Sequence, residues 1–244
     1  MRVLVVLPTY NERDNARLVL PSVRVAVPDA DVLVVDDNSP DGTADVAAQL
    51  GAELGGIEVL RRPAKQGLGS AYRAGFEYAL DHGYDVVVSM DVDLSHDPGV
   101  LPELVRLIEA GADAVIGSRY VPGGATVDWP VHRRVLSRWG NRYASFVLRL
   151  QVRDCTSGFR AFRASALKEI DPASTTAEGY AFLTELVRRL VRAELRVMET
   201  PIVFRDRRYG VSKMSGRIVV ESMWLVTTWA LRDVMRRTSA ASRR

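Results

Sequence analysis

"DVVVSMDVDLSHDP" (residues 85–98) places three consecutive valines, Val86 to Val88, ahead of Asp91, Asp93 and Asp97, with Asp85 in front. A run with no polar face reads as a strand buried on both sides, as in a parallel sheet covered by helices. Carboxylates crowded at its carboxyl end repel one another unless positive charge lies among them. Asp91 and Asp93, two residues apart on the turn that leaves the strand, can both face one divalent cation while Val92 turns away or lends only its backbone. Carboxylate oxygens suit Mg²⁺ or Mn²⁺, which keep positions open for the oxygens of a diphosphate. Asp97, just ahead of "PGVLPELVRLI", reads instead as a helix cap.

Three other runs share this character: "RVLVVLP" (2–8), "DVLVVDD" (31–37) and "DAVIGSR" (113–119). Separated by helix-like segments, they predict an α/β chain with a mainly parallel central sheet and helices on both faces. Ligands of such sheets sit beyond the carboxyl ends of the strands. "PTYNE" (8–12), "DDNSPDGT" (36–43), "DVDLSHD" (91–97) and "GSRY" (117–120) all fall there. "KQGLGSAYRAGFEYAL" (65–80) predicts a helix with Tyr72, Phe76 and Leu80 on one face, and its two leading glycines either admit a phosphate or form a tight turn. No GxGxxG follows the first strand, which argues against a dinucleotide-dependent oxidoreductase. Residues 121–130 read as a loop. "VHRRVLSRWGNRYASFVLRL" (131–150) reads as a basic helix with Arg134, Arg138 and Arg142 on one stripe and Arg133 and Ser137 on the next. Residues 154–163, "DCTSGFRAFR", read as a polar loop entering an apolar segment.

The 244 residues, 47% hydrophobic, suffice for one large α/β domain. Of 33 basic residues only Lys65, Lys168 and Lys213 are lysines, so 30 are arginines, a bias suited to phosphate recognition. Cys155 is the single cysteine, which excludes an intrachain disulfide and fits a reducing compartment. A strand-like run from Val3 leaves no room for a signal peptide, an expectation of synthesis ending on the cytosolic side. Ser222 to Leu231 are ten uncharged residues between Glu221 and Arg232, against the roughly 20 apolar residues that a membrane span needs. Arg217, Glu221, Thr228, Arg232 and Arg236 make a polar stripe on a helix carrying Trp224 and Trp229. It lies at a membrane surface, meets a partner, or packs on the domain. The chain therefore divides into a domain at 1–214 and an amphipathic helix with a basic tail at 215–244.

"VVLPTYNE" (5–12), "VVDDNSPDGT" (34–43), "GLGSAYRAGF" (67–76), "MDVDLSHDP" (90–98), "GSRY" (117–120), "SGFR" (157–160) and "GVSKMS" (210–215) together resemble the polyprenol-phosphate mannose synthases of glycosyltransferase family 2. "PTYNE" marks the wider family, and the ordered set with "SPDGT" and "SKMS" marks this branch. The resemblance implies a GT-A fold and inverting transfer of mannose from GDP-mannose to a polyprenyl, dolichyl-type, monophosphate. It places Pro8, Tyr10, Glu12, Val35, Asp37 and Val92 at the donor nucleotide, and Asp91 and Asp93 at the metal and diphosphate. Arg207 and Lys213 would close over the donor phosphates. Arg119, Arg133 and Ser137 would receive the acceptor phosphate. Some relatives carry Gln where this chain has Ser95, which as a metal ligand would reach the ion only through water.

Many relatives also append transmembrane helices, so the resemblance implies attachment to the cytoplasmic face of a membrane through the Trp-bearing helix or a separate membrane protein. A phosphate monoester has a second pKa of about 6 and is largely dianionic at neutral pH, so the acceptor can attack without a general base. A polyprenyl-phosphate glucosyltransferase using UDP-glucose shares "PTYNE" and the aspartates and is the alternative. A processive polysaccharide synthase lacks support, since pore-forming helices and a QxxRW motif are missing from the sequence. Nucleic acid is excluded as a partner because the arginines gather near acidic residues that repel a polyanion.

Overall fold

The computed structural model describes residues 1–206 and 222–233. A seven-stranded sheet is built from β1 (Val3–Thr9), β2 (Asp31–Asp36), β3 (Ile57–Arg61), β4 (Val86–Ser89), β5 (Ala114–Ser118), β7 (Arg160–Arg163) and β8 (Val197–Pro201). Its spatial order is β3-β2-β1-β4-β7-β5-β8. β6 (Ala125–Val127) and β9 (Val203–Arg205) form a separate parallel pair. The helices are α1 (Arg13–Ala26), α2 (Thr43–Leu54), α3 (Leu68–Asp81), α4 (Leu101–Glu109), α5 (Val131–Leu148), α6 (Ala164–Ile170), α7 (Gly179–Arg192) and α8 at 222–233.

The valine-rich runs are strands because both of their faces are covered. On β1, Val5 and Leu7 enter one core with Val19, Leu20 and Val23 of α1 and Leu104 and Ile108 of α4. Leu4 and Val6 enter the opposite core with Tyr72 and Phe76 of α3 and Phe182 and Leu186 of α7. Alternation along a strand sends successive side chains to the two layers, so neither face needs polar residues. α3 lies so close to β1 that a Cβ on Gly75 would stand 2.4 Å from Val6 Cγ1.

The four predicted strands are parallel in direction, but β4 and β5 are not neighbours. β7 lies between them, antiparallel to both. Its reversal brings its amino end to the edge where β1, β2, β4 and β5 finish, with Arg160 opposite Ser89. The "SGFR" loop thereby joins the other polar motifs. The segment 121–130, read from sequence as loop alone, contains β6, which pairs with β9 instead of the main sheet.

α8 packs Val226 and Trp229 against Ala144 and Leu148 of α5 and Val187 of α7. Arg188 of α7 holds Asp233, and Tyr143 meets Thr227 at 2.7 Å. Trp224 is 66% exposed. The inner face of this helix is packed on the domain. Arg217, Glu221 and Arg236 lie outside the described residues.

Candidate active site

β1, β2 and β4 end around a cavity of about 260 Å³ lined by Pro8, Tyr10, Glu12, Asp37, Lys65, Asp91, Val92 and Asp93, among others. Motifs far apart in sequence converge here through hydrogen bonds between the loops. The Glu12 backbone N–H donates to Thr43 Oγ1 at 3.0 Å, and the Arg13 N–H to Asp41 Oδ2 at 3.1 Å. Asn11 and Asn38 both take left-handed backbone, φ 58°, a conformation Asn tolerates better than most residues. Asp36 and Asp41 are absorbed by local bonds from Thr9, Ser39 and Thr43. Asp37 instead reaches the cavity, held by Arg62 Nη1 at 2.6 Å and the Gln66 N–H at 3.0 Å.

Asp91 and Asp93 are each fixed by named partners. Asp91 Oδ1 accepts from the Tyr72 hydroxyl at 3.1 Å. That ring is fully buried, stacked between Phe76 and Phe182, and burial with the neighbouring Asp91 carboxylate keeps its hydroxyl protonated, well above the usual tyrosine value. Gly158 makes room, since a Cβ there would lie 3.3 Å from Asp91 Oδ1. Asp93 Oδ1 accepts the Ser95 N–H at 3.1 Å and the Ser95 hydroxyl as well. Carboxylate oxygens at the cavity suit Mg²⁺ or Mn²⁺. Among the described residues no group of three His, Cys, Asp or Glu side chains is placed to hold a metal ion.

Two residues expected at this site stand behind it. Val35 is fully buried in the core beneath α3, inside β2, whereas Asp37 follows the last residue of that strand, where the chain reaches the cavity. Ser95 is buried with its hydroxyl against Asp93. That bond turns the hydroxyl onto the carboxylate. The question about the glycines at 67 and 69 also resolves. The Gly69 N–H donates to Glu178 Oε2 at 3.0 Å, and a Cβ on either glycine would lie within 3 Å of that oxygen. A carboxylate from the start of α7, itself paired with Arg73, occupies the helix terminus, and the glycines permit its approach. Asp97 caps as expected, accepting the Gly99 N–H at 2.8 Å.

The arginine side of the site gathers around Trp129. Arg133 lies 4.0 Å from the centre of its ring and Arg119 5.6 Å. Ser137, one turn along α5, accepts from the Tyr120 hydroxyl at 2.6 Å. Arg119 is only 5% exposed. Its Nε and Nη2 each donate to Asp154 at 2.7 Å, and Nη2 also donates to Thr156 at 2.8 Å. Burial would raise the Asp154 carboxyl, but the charge and hydrogen bonds of Arg119 outweigh it and hold the group below its ordinary value. Arg119 is thus a fixed buried cation, whereas Arg133 sits nearer the surface, bonded to Asp206 at 3.0 Å. Arg207 and Lys213 lie outside the described residues.

Sequence reasoning missed the residues that join the two halves. His96 Nδ1 accepts the Asp91 N–H at 3.3 Å, and its ring packs on Phe159 at 5.0 Å and Phe204 at 5.2 Å. Phe204 packs on Trp129 at 5.3 Å, and the Arg205 N–H donates to the Ser95 carbonyl at 3.2 Å. Burial pushes the His96 imidazole below its usual pKa, so it is neutral. Lys65, also missed, places Nζ 3.9 Å from the centre of the Tyr10 ring at the cavity. Its position two residues ahead of Gly67 was the available signal. Arg160 is fully buried and, among the described residues, donates to the backbone carbonyls of Cys155, Ser157 and Leu183, which makes it an internal brace.

Residues 4–171 match the model of glycosyl transferase family 2. The chain is 48% identical over 231 residues to undecaprenyl-phosphate mannosyltransferase of Micrococcus luteus, covering 95% of each chain. It is 44% identical over 243 residues to polyprenol monophosphomannose synthase of Mycolicibacterium smegmatis, covering 99% of this chain and 92% of that one. Among solved structures, glucosyl-3-phosphoglycerate synthase from Mycobacterium tuberculosis with phosphoglyceric acid superposes with a TM-score of 0.71 at 20% identity, covering 93% of this chain and 80% of that one. The same enzyme with Mn²⁺, UDP-glucose and phosphoglyceric acid gives 0.70. The architecture is that of a GT-A glycosyltransferase, and the chain belongs to glycosyltransferase family 2.

Proposed function

We propose that this protein transfers mannose from GDP-mannose to a polyprenyl monophosphate with inversion at the sugar carbon. The observation that carries the proposal is the pairing of near full-length similarity to two polyprenyl-phosphate mannosyltransferases with a carboxylate-edged cavity joined through His96 and Phe204 to an arginine cluster. Tyr10, Glu12, Asp37 and Lys65 bind the donor nucleotide. Asp91 and Asp93 hold Mg²⁺ or Mn²⁺ at the diphosphate. When bound, the ion offsets charge gathering on the departing nucleoside diphosphate.

The acceptor phosphate is received by Arg133 and Ser137, with Arg119, held by Asp154 beside Trp129, as a third contact. Preorganised cations stabilise developing charge without reorganising during reaction. Since the acceptor is already an anion at neutral pH, no side chain has to remove a proton, and orientation supplies the rate. Arg207 and Lys213 are assigned to the donor phosphates. Among the described residues no helix is long and apolar enough to cross a membrane. We place the protein as a peripheral enzyme at the cytoplasmic face, with a membrane-anchoring partner as one means of holding it there.

The test is a donor panel with a short-chain polyprenyl phosphate, the anomeric configuration of the product being read by NMR. The proposal expects a β-mannosyl phosphate from GDP-mannose. Glucosyl product from UDP-glucose alone would overturn the donor assignment.

A further inference from the structure

The indole Nε1 of Trp129 and the Nε of Arg133 are buried and find no hydrogen-bond partner among the described residues. Trp129 is only 8% exposed, and the Arg133 guanidinium lies 4.0 Å from the centre of its ring. Both orphaned groups therefore belong to one stacked pair. His96 Nε2 is a third orphan, and its ring packs on Phe204, as Trp129 does. The other orphaned atoms among the described residues, Asn15 Oδ1 and Arg24 Nε, stand apart on α1.

The chemistry of these atoms identifies the group that satisfies them. An indole N–H and a guanidinium N–H can only donate. His96 Nδ1 accepts the Asp91 N–H, which leaves the ring proton on Nε2, so the third orphan is a donor too. Buried donors are costly to leave unmade. A water accepting from them would bring two hydrogens of its own to a place where no orphaned acceptor accompanies the donors. An oxyanion accepts without donating, and its charge strengthens each bond. The backbone fixes where the indole stands. Asp128 before it takes left-handed backbone, φ 63°, and Pro130 after it opens α5 with no side-chain cap, at a helix end that itself favours negative charge.

We infer that the indole N–H of Trp129 binds an oxygen of the acceptor's phosphate together with Arg133 Nε, which makes Trp129 a substrate-binding residue in its own right. The inference rests on the acceptor reading given above and adds a neutral donor to it. One side chain then acts twice. The face of its ring carries the Arg133 guanidinium, and its edge holds the phosphate. Phenylalanine at this position keeps the face and loses the donor.

The experiment follows the indole N–H resonances of the ¹⁵N-labelled full-length protein as geranyl phosphate, geraniol or GDP with Mg²⁺ is added. The chain has four tryptophans. Trp139→Phe, Trp224→Phe and Trp229→Phe each delete one signal, so the Trp129 signal is identified even where Trp129→Phe does not fold. It should shift downfield to saturation with geranyl phosphate and show no such shift with geraniol or GDP. No shift with geranyl phosphate, an equal shift with geraniol, or a shift with GDP alone would overturn the inference. In transfer assays Trp129→Phe should raise the KM for geranyl phosphate roughly tenfold or more, as loss of a hydrogen bond to a charged group does, with the donor KM and kcat little changed. An unchanged acceptor KM would also overturn it. The titration needs no turnover. A shift without mannose transfer would refute the proposed reaction and leave this inference standing, whereas transfer without the shift would refute this inference alone.

Discussion

His96 Nδ1 accepts the backbone N–H of Asp91 at 3.3 Å while the His96 ring packs against Phe204. One buried imidazole thus spans the strand end that carries the aspartates and the β9 segment that leans on Trp129. His96→Leu keeps much of the volume and removes the acceptor. Residues that orient metal ligands commonly cost 10–100-fold in metal affinity or activity when replaced. Roughly that loss in Mn²⁺ affinity is expected here, measured by titrating transfer activity with metal, with Arg133 contacts intact and acceptor KM little changed.

Asp154 and Arg119 form a buried pair, with side chains 0% and 5% exposed. Removing one partner strands the other charge, at a cost of about 3–5 kcal/mol. Asp154→Ala should therefore lower the denaturation midpoint far more than Arg106→Ala, which removes only a solvent-exposed partner of Glu103. Because the folded Asp154 carboxyl lies below its ordinary 3.8, its stabilisation is fully present above that value and fades as pH falls through the lower folded one. Wild type should keep this contribution throughout neutral and mildly acid pH. Urea melts at several pH values check both statements.

An enzyme whose acceptor arrives ionised has no catalytic carboxylate to titrate. The acid limb of kcat/KM should fall with an apparent pKa of about 6, that of the acceptor phosphate. It should keep that position in Glu12→Gln and Asp37→Asn even as their rates drop. A limb that moved or vanished in one of these variants would identify a general base.

Tyr72→Phe deletes the hydroxyl that donates to Asp91 and leaves the ring stack in place. Global stability should change by no more than about 1.5 kcal/mol. Metal-dependent transfer should fall several-fold, with most of the effect recovered at high Mn²⁺. Thermal melts and metal titrations separate the two effects.

The parallel strands and their polar ends were legible because burial on two faces removes every polar residue from a run. The runs at β1, β2, β4 and β5 show this directly. β7 was not legible. Its four residues, Arg160 to Arg163, begin and end with arginine, and only the third dimension shows Arg160 turned inward onto backbone carbonyls. β3 and β8 carry charged or exposed residues as outer strands, which blurs their pattern. At the site, aspartates at a strand end announce themselves by repulsion. The residues that position them, Tyr72, His96 and Phe204, look like ordinary core residues until their partners are known. Arg119 shows the reverse limit, since a motif arginine gives no sign in sequence that its charge is already matched by Asp154.

In the proposed reaction, Asp91 and Asp93 serve a metal-assisted transfer of mannose to a lipid phosphate. The most direct measurement is labelled-sugar transfer from GDP-mannose to a polyprenyl phosphate with Mg²⁺ or Mn²⁺, then with EDTA, for wild type and Asp93→Asn. A mannosyl lipid should form only with metal and be lost in a folded Asp93→Asn protein. Mannosyl lipid that forms at the same rate in EDTA, or in the variant, would contradict it.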